Sequence, residues 1–191
     1  MKKCIKGLFL ILVIAGCESA YTKMVKKELS TGIREDSLIF NIEFGDTKKE
    51  FYDKCWQLNK KELVTNGPKN QMVEYTVNDS LFHDDPTKIK FLFYGTFDDS
   101  DKLNGMDCEF AYPSWSPWNQ KFSSDSLEVK VRLLIKNWYS GNDFIEVPLE
   151  DEPNLWVKVD GNRRIVLKKL DQQSVSMKIH DLLHDEHRHN M

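Results

Sequence analysis

The familiar signatures of catalysis are missing from this 191-residue chain. It has no Gly-x-Ser-x-Gly elbow, no His-Glu-x-x-His pair, no phosphate-binding glycine loop and no Gly-x-Gly at any position. These absences lower the expectation of a hydrolase, a zinc protease or a nucleotide enzyme, although an active site can also assemble from scattered residues. An excess of positive charge is missing as well. With 27 Lys and Arg against 30 Asp and Glu, the chain gives no reason to expect nucleic-acid binding. No apolar run approaches the ~20 residues of a membrane-spanning helix. What remains is ordinary for a globular domain, with 40% apolar and 12% aromatic residues.

The most informative part is the start. Lys2, Lys3 and Lys6 precede an apolar stretch over residues 8–14, followed by Ala15-Gly16-Cys17. The charge, the short apolar core and the small residues describe a secretory signal. The segment resembles the bacterial lipobox, in which the cysteine thiol is lipidated and the preceding residues are removed. That resemblance implies a signal over residues 1–16, lipidation of Cys17, and a membrane contact made through acyl chains. Cys17-Glu18-Ser19-Ala20 carries neither an aspartate after the cysteine nor a run of acids, so an outer-membrane anchor facing the periplasm is the expected place. Cleavage there leaves 24 basic against 30 acidic residues, a balance of −6. It also leaves two cysteines besides Cys17, at 55 and 108. In an oxidising compartment Cys55 and Cys108 are a disulfide candidate; two buried thiols acting as small apolar residues are the equal alternative.

Residues 17–37 are polar with mixed charge and read as a lipidated tether. The domain is expected over 38–183. A strand is predicted from the alternation of Leu38, Phe40, Ile42 and Phe44. Thr47 and Glu50 form a capping box that opens a helix, with Phe51, Cys55 and Leu58 on one face and Tyr52 and Trp56 widening it. Period-two runs follow at 71–77, 89–97 and 106–112. The order then recurs. A helix begins near Ser124 and carries Leu127, Val131, Leu134, Ile135 and Trp138. Alternating runs follow at 155–159, 165–167 and 175–179, with a hairpin turn at Asp160-Gly161-Asn162. The expected fold is α+β: an antiparallel sheet with two helices on one face, as tandem αβββ repeats at about 38–118 and 119–183. Residues 184–191 read as a loose tail.

The lipobox, the segment Ile42-Glu43-Phe44-Gly45-Asp46-Thr47 and the paired αβββ order together resemble small bacterial lipoproteins with the fold of the beta-lactamase-inhibitor protein. A second pattern of that group, an aromatic segment and a tryptophan before a helix ending in aromatic-x-Gly, is matched here by Phe110, Trp115 or Trp118, and Trp138-Tyr139-Ser140-Gly141. The resemblance spans about residues 38–182. It implies a binding, assembly or inhibitory module and carries no active site over.

Three constellations could carry function. Tyr112, Trp115 and Trp118 surround Pro113 and Pro117, which stiffen the loop; rigid aromatics on such a loop suit a protein hot spot or a sugar platform. The competing reading folds these rings into the core. His180, His184 and His187 would share one face if the segment were helical, and could hold zinc, copper or nickel; the strand pattern at 175–179 argues against that spacing. The acidic run at 98–101 fails as a calcium loop, because Leu103 and Phe110 stand where oxygen ligands are needed. No cofactor is implied. The leading expectation is a lipid-anchored module that binds an envelope protein. The alternative is a periplasmic enzyme or metal-handling protein using the C-terminal histidines.

Overall fold

The computed structural model describes residues 18–78, 88–150 and 152–184. It is α+β, with one eight-stranded antiparallel sheet and three helices among these residues. The helices are α1 (Ala20–Ser30), α2 (Lys48–Lys60) and α3 (Ser124–Trp138). The strands are β1 (Thr65–Asn66), β2 (Val73–Thr76), β3 (Lys90–Phe97), β4 (Leu103–Ala111), β5 (Ile145–Val147), β6 (Leu155–Asp160), β7 (Arg163–Lys169) and β8 (Ser174–Asp181). Their spatial order is β1-β2-β3-β4-β8-β7-β6-β5. Each of α2 and α3 therefore precedes a meander of four strands, and the two meanders meet where β4 pairs with β8.

Alternation sorts the side chains. Phe91, Phe110 and Val175 are in register, as are Phe93, Cys108 and Met177, and these line the face that packs against α2 and α3. Phe91 stacks on Phe110 at 4.6 Å between centroids, and Trp138 meets Phe91 edge-on. The capping box at the start of α2 forms as expected: Thr47 and Glu50 satisfy each other's amides. Phe51 and Cys55 turn inward, but Tyr52 and Trp56 point outward rather than widening the buried face.

Three local expectations change. Residues 38–44 do not form a strand. Phe40 and Asn41 take positive φ inside a short 3-10 turn, and only Ser37 and Glu43 bridge. Two short strands, β1 and β5, were not visible in the sequence because two or three residues carry too little alternation to detect. The largest difference lies at residues 18–37. Instead of an unstructured tether, the segment forms α1 and packs Tyr21, Met24, Val25 and Leu29 against a second apolar cluster of Val157, Val159 and Leu182. On β6, Lys158 is in register with core-facing Ile165, so Val157 and Val159 face the opposite side. A third helix thus covers the face that α2 and α3 leave open. An isolated 11-residue helix is marginal in water; docking of its apolar stripe holds it.

The segment is fastened by polar contacts as well. The turn between β6 and β7 is buried throughout residues 160–164, unusual for a hairpin tip. The Asn162 side chain accepts from the Glu35 amide at 2.6 Å and donates to Asp36 and Asp181 at 3.0 and 2.9 Å. Arg163 donates to the Ser37 carbonyl at 2.8 Å and lies over the Tyr139 ring. Arg164 donates to the Tyr21 hydroxyl, and the Gly161 amide donates to Glu28. Gly161 has φ +53, and a Cβ there would meet the Ile33 carbonyl at 2.5 Å, so glycine is required by both conformation and space. Lys158, fully buried, donates to the Asn142 carbonyl and to Asp160, while Asp160 also accepts from the Asn142 amide. This ties the end of α3 to the same turn.

Asn162→Ala leaves the Glu35 amide without its acceptor and removes one donor each from Asp36 and Asp181, which keep Arg34 and the Leu183 amide respectively. It is expected to cost about 2–3 kcal/mol and to expose Lys26, Lys27 and Arg34 to trypsin in an otherwise folded protein; unchanged digestion would contradict the clamp. Burial opposes ionisation of Asp36, but hydrogen bonds from Arg34 and Asn162 outweigh it and hold its carboxyl below the ordinary value of 3.8. A depressed carboxylate stabilises fully above its unfolded value and loses that contribution as pH falls through the folded value. Pepsin cleavage at residues 18–37 is therefore expected to rise only below about pH 3.8.

Candidate functional site

The chain leaves β4 at Ala111 and crosses to α3 through the aromatic-proline segment. The structure separates its three rings. Alternation continues the core face of β4 to Tyr112, which is buried with Phe122 edge-on at 5.4 Å; it belongs to the core and not to a contact surface. Trp115 is half-buried and donates its indole N–H to the Gln172 carbonyl at 3.1 Å, which fixes the ring against the β7–β8 turn. Trp118 is 86% exposed.

Between this loop, the first turn of α3 and the β7–β8 turn lies a recess of about 540 Å³. Trp115 and Pro117 form one side, with Asn119, Gln120, Lys169 and Gln172 among the polar residues around it. Lys169 bonds Asp125 at 2.7 Å across the rim, and that bond raises the lysine's pKa despite partial burial. Burial opposes ionisation of Asp171, yet the amides of Gln173 and Ser174 and the Ser174 hydroxyl outweigh it and keep the carboxyl below its ordinary value. Lys169, Asp125 and Asp171 are thus committed to local bonds, and among the described residues no nucleophile–base pair converges on the recess. Its chemistry is an aromatic wall with amide and hydroxyl donors and acceptors, suited to recognition.

Lys169 faces the α3 side of the sheet, in register with Val175. The recess therefore opens on the side of the sheet opposite to α1. It also lies at the other end of β7 from the Asn162 turn, a run of about 20 Å for seven strand residues. Smaller hollows among the described residues include one of about 360 Å³ beside α2 with Trp56 and Tyr94, and one of about 260 Å³ around Phe40 and Trp138.

The two described histidines of this set, His180 and His184, are held by different partners. His180 lies on β8, with Nδ1 3.0 Å from the Arg164 guanidinium. His184 follows in a turn, 3.9 Å from both Asp98 and Asp181. His187 lies outside the described residues, as does Cys17. Among the described residues no group of three His, Cys, Asp or Glu side chains is placed to hold a metal ion. The strand conformation of His180 removes the helical spacing that such a site required.

Cys55 and Cys108 are both free and both buried, so the bridge left open by the sequence is not formed. Cys55 sits under α2 beside Phe93 and Val73, whereas Cys108 lies within electrostatic reach of the Tyr139 hydroxyl below α3. Burial pushes the Cys55 thiol up to about 11 and the Cys108 thiol well above its usual range. Neither is a nucleophile at neutral pH.

No protein family, curated protein or solved structure matches this chain. Among the described residues no helix is long and apolar enough to cross a membrane.

The arrangement sets two expectations. Both thiols should resist a maleimide in the native protein and react together on unfolding; fast labelling of either would contradict their burial. Trp118→Ala should change stability by less than about 0.5 kcal/mol, whereas Tyr112→Ala should cost about 3–5 kcal/mol as an aromatic core truncation. Thermal or urea unfolding of the two variants reads the contrast directly.

Proposed function

We propose that this chain is a lipid-anchored envelope protein that acts as a non-catalytic binding module, taking an envelope protein partner at the Trp115–Trp118 loop. The observation that carries the reading is Trp118, 86% exposed and next in sequence to Pro117, which lines the recess. A large aromatic left in water on a stiffened loop costs little entropy to immobilise and is well suited to a hot spot. The anchor is the lipid on Cys17, at the periplasmic side of the outer membrane, supported by the charged start, the short apolar core and Ala15-Gly16-Cys17. The enzyme and metal alternative gains no support among the described residues, where His180 and His184 engage different partners and Lys169 at the rim is paired with Asp125.

The finer fold reading also belongs here. The two helix-plus-meander halves are related units on the αβββ plan, each with one very short additional strand, and the protein is a small lipoprotein of the beta-lactamase-inhibitor-protein type. Support comes from the order of elements and from the meeting of the halves through their last strands.

In-cell crosslinking of the membrane-anchored protein tests the binding reading. Trp118→Ala is expected to abolish a specific crosslinked species without shifting the melting temperature. A crosslinking pattern unchanged by both Trp118→Ala and Trp115→Ala would contradict it. Cys17→Ala is expected to leave the protein unprocessed or soluble; lipid labelling retained in that variant would sink the anchor.

A further inference from the structure

The helix that replaces the expected tether has two faces. Tyr21, Met24, Val25 and Leu29 pack on the sheet, and Glu28 turns in to accept from the Gly161 amide. On the other side Lys23, Lys26, Lys27 and Ser30 are all exposed, at i, i+3, i+4 and i+7. The side chain of Lys26 is 71% exposed and pairs with Glu18. The outward ridge thus carries three positive charges with one carboxylate beside it. It begins within a few residues of Cys17: three extended residues and one helical turn span about 15 Å at most. After cleavage before Cys17 the chain as a whole is acidic, with 24 basic residues, the three ridge lysines among them, against 30 acidic.

We infer that the outer face of α1 is a seat for anionic phospholipid headgroups, which holds the domain against the membrane in one orientation. The inference rests on lipidation of Cys17. The acyl chains keep the protein at the bilayer, and the ridge decides which side faces it. Because the apolar stripe of α1 is already occupied by β6, this contact is electrostatic and does not insert the helix. Each lysine at an anionic surface strengthens binding about fivefold, and the effect fades within a Debye length of about 8–10 Å. The net negative remainder of the surface is repelled, so the ridge-down orientation is favoured. With α1 against the headgroups, the sheet lies between the membrane and the Trp115 recess, which then opens away from the lipid.

The test uses the processed protein extracted from membranes and reconstituted into vesicles of phosphatidylcholine alone or with about 30% phosphatidylglycerol, enough to give a negative surface. Amine-reactive labelling of Lys23, Lys26 and Lys27 is followed by mass spectrometry, with Lys121 beside the recess as internal reference. The three ridge lysines are expected to label several-fold more slowly in the anionic vesicles, the difference disappearing near 1 M salt, where screening falls to about 3 Å. Lys121 should label equally in both. The same mass data report the acyl group on Cys17. An unacylated Cys17 overturns the anchor reading and this inference together. An acylated Cys17 with equal ridge labelling in both vesicles overturns the inference alone. As a second measurement, Lys23→Gln, Lys26→Gln and Lys27→Gln combined should leave no lysine whose labelling slows in phosphatidylglycerol vesicles; slowing retained at another lysine would place the lipid contact elsewhere.

Discussion

The buried turn between β6 and β7 organises this molecule. Asp160, Gly161, Asn162, Arg163 and Arg164 are consecutive, and together they reach four parts of the chain: the loop after α3, α1, residues 33–37 and the end of β8. Buried polar groups of this kind are costly when left unpaired, and removing one partner of a buried ion pair costs about 3–5 kcal/mol. Lys158 and Asp160 illustrate the point, since both are buried and each satisfies the other along with the Asn142 backbone. The network therefore specifies geometry more than it adds net stability. It leaves one arrangement in which Asp160, Asn162, Arg163 and Arg164 each keep hydrogen-bonded partners, although the Nε atoms of Arg163 and Arg164 stay buried without one.

That arrangement has a mechanical consequence. A segment that would otherwise be a loose leash is converted into a helix fastened to the far side of the sheet. The sheet then has one face covered by α1, the side of the proposed lipid seat, and another covered by α2 and α3 on which the Trp115 recess opens. Binding at Trp118 would in this way be held at a fixed height and orientation rather than sampled at the end of a tether. A rigid mount lowers the entropy lost on engaging a partner that is itself fixed in the envelope.

Much of the sheet was legible because its signals are local. The capping box at Thr47, the alternation of Phe91 and Phe93, the Asp160-Gly161-Asn162 turn and the apolar stripe of α3 are all contained within short windows. Residues 18–37 were not legible for the opposite reason. Tyr21, Met24, Val25 and Leu29 do follow helical spacing, but four apolar residues among lysines look soluble until their partners on β6 are known. The clamp that holds them pairs residues 126 to 143 positions apart, which no local pattern reveals. Phe40 was misplaced on a strand because alternation cannot report a positive φ. At the candidate site, composition drew attention to the loop, but only the fold distinguishes buried Tyr112 from exposed Trp118.

Hydrogen–deuterium exchange of the membrane-extracted protein tests the central claim most directly. If α1 and residues 33–37 are clamped to the hairpin tip, amides of α1 and of Glu35 should exchange on the slow timescale of β6 and β7, and should open together with them. Exchange of residues 18–37 at the rate of an unstructured chain, while the sheet stays protected, would contradict the account.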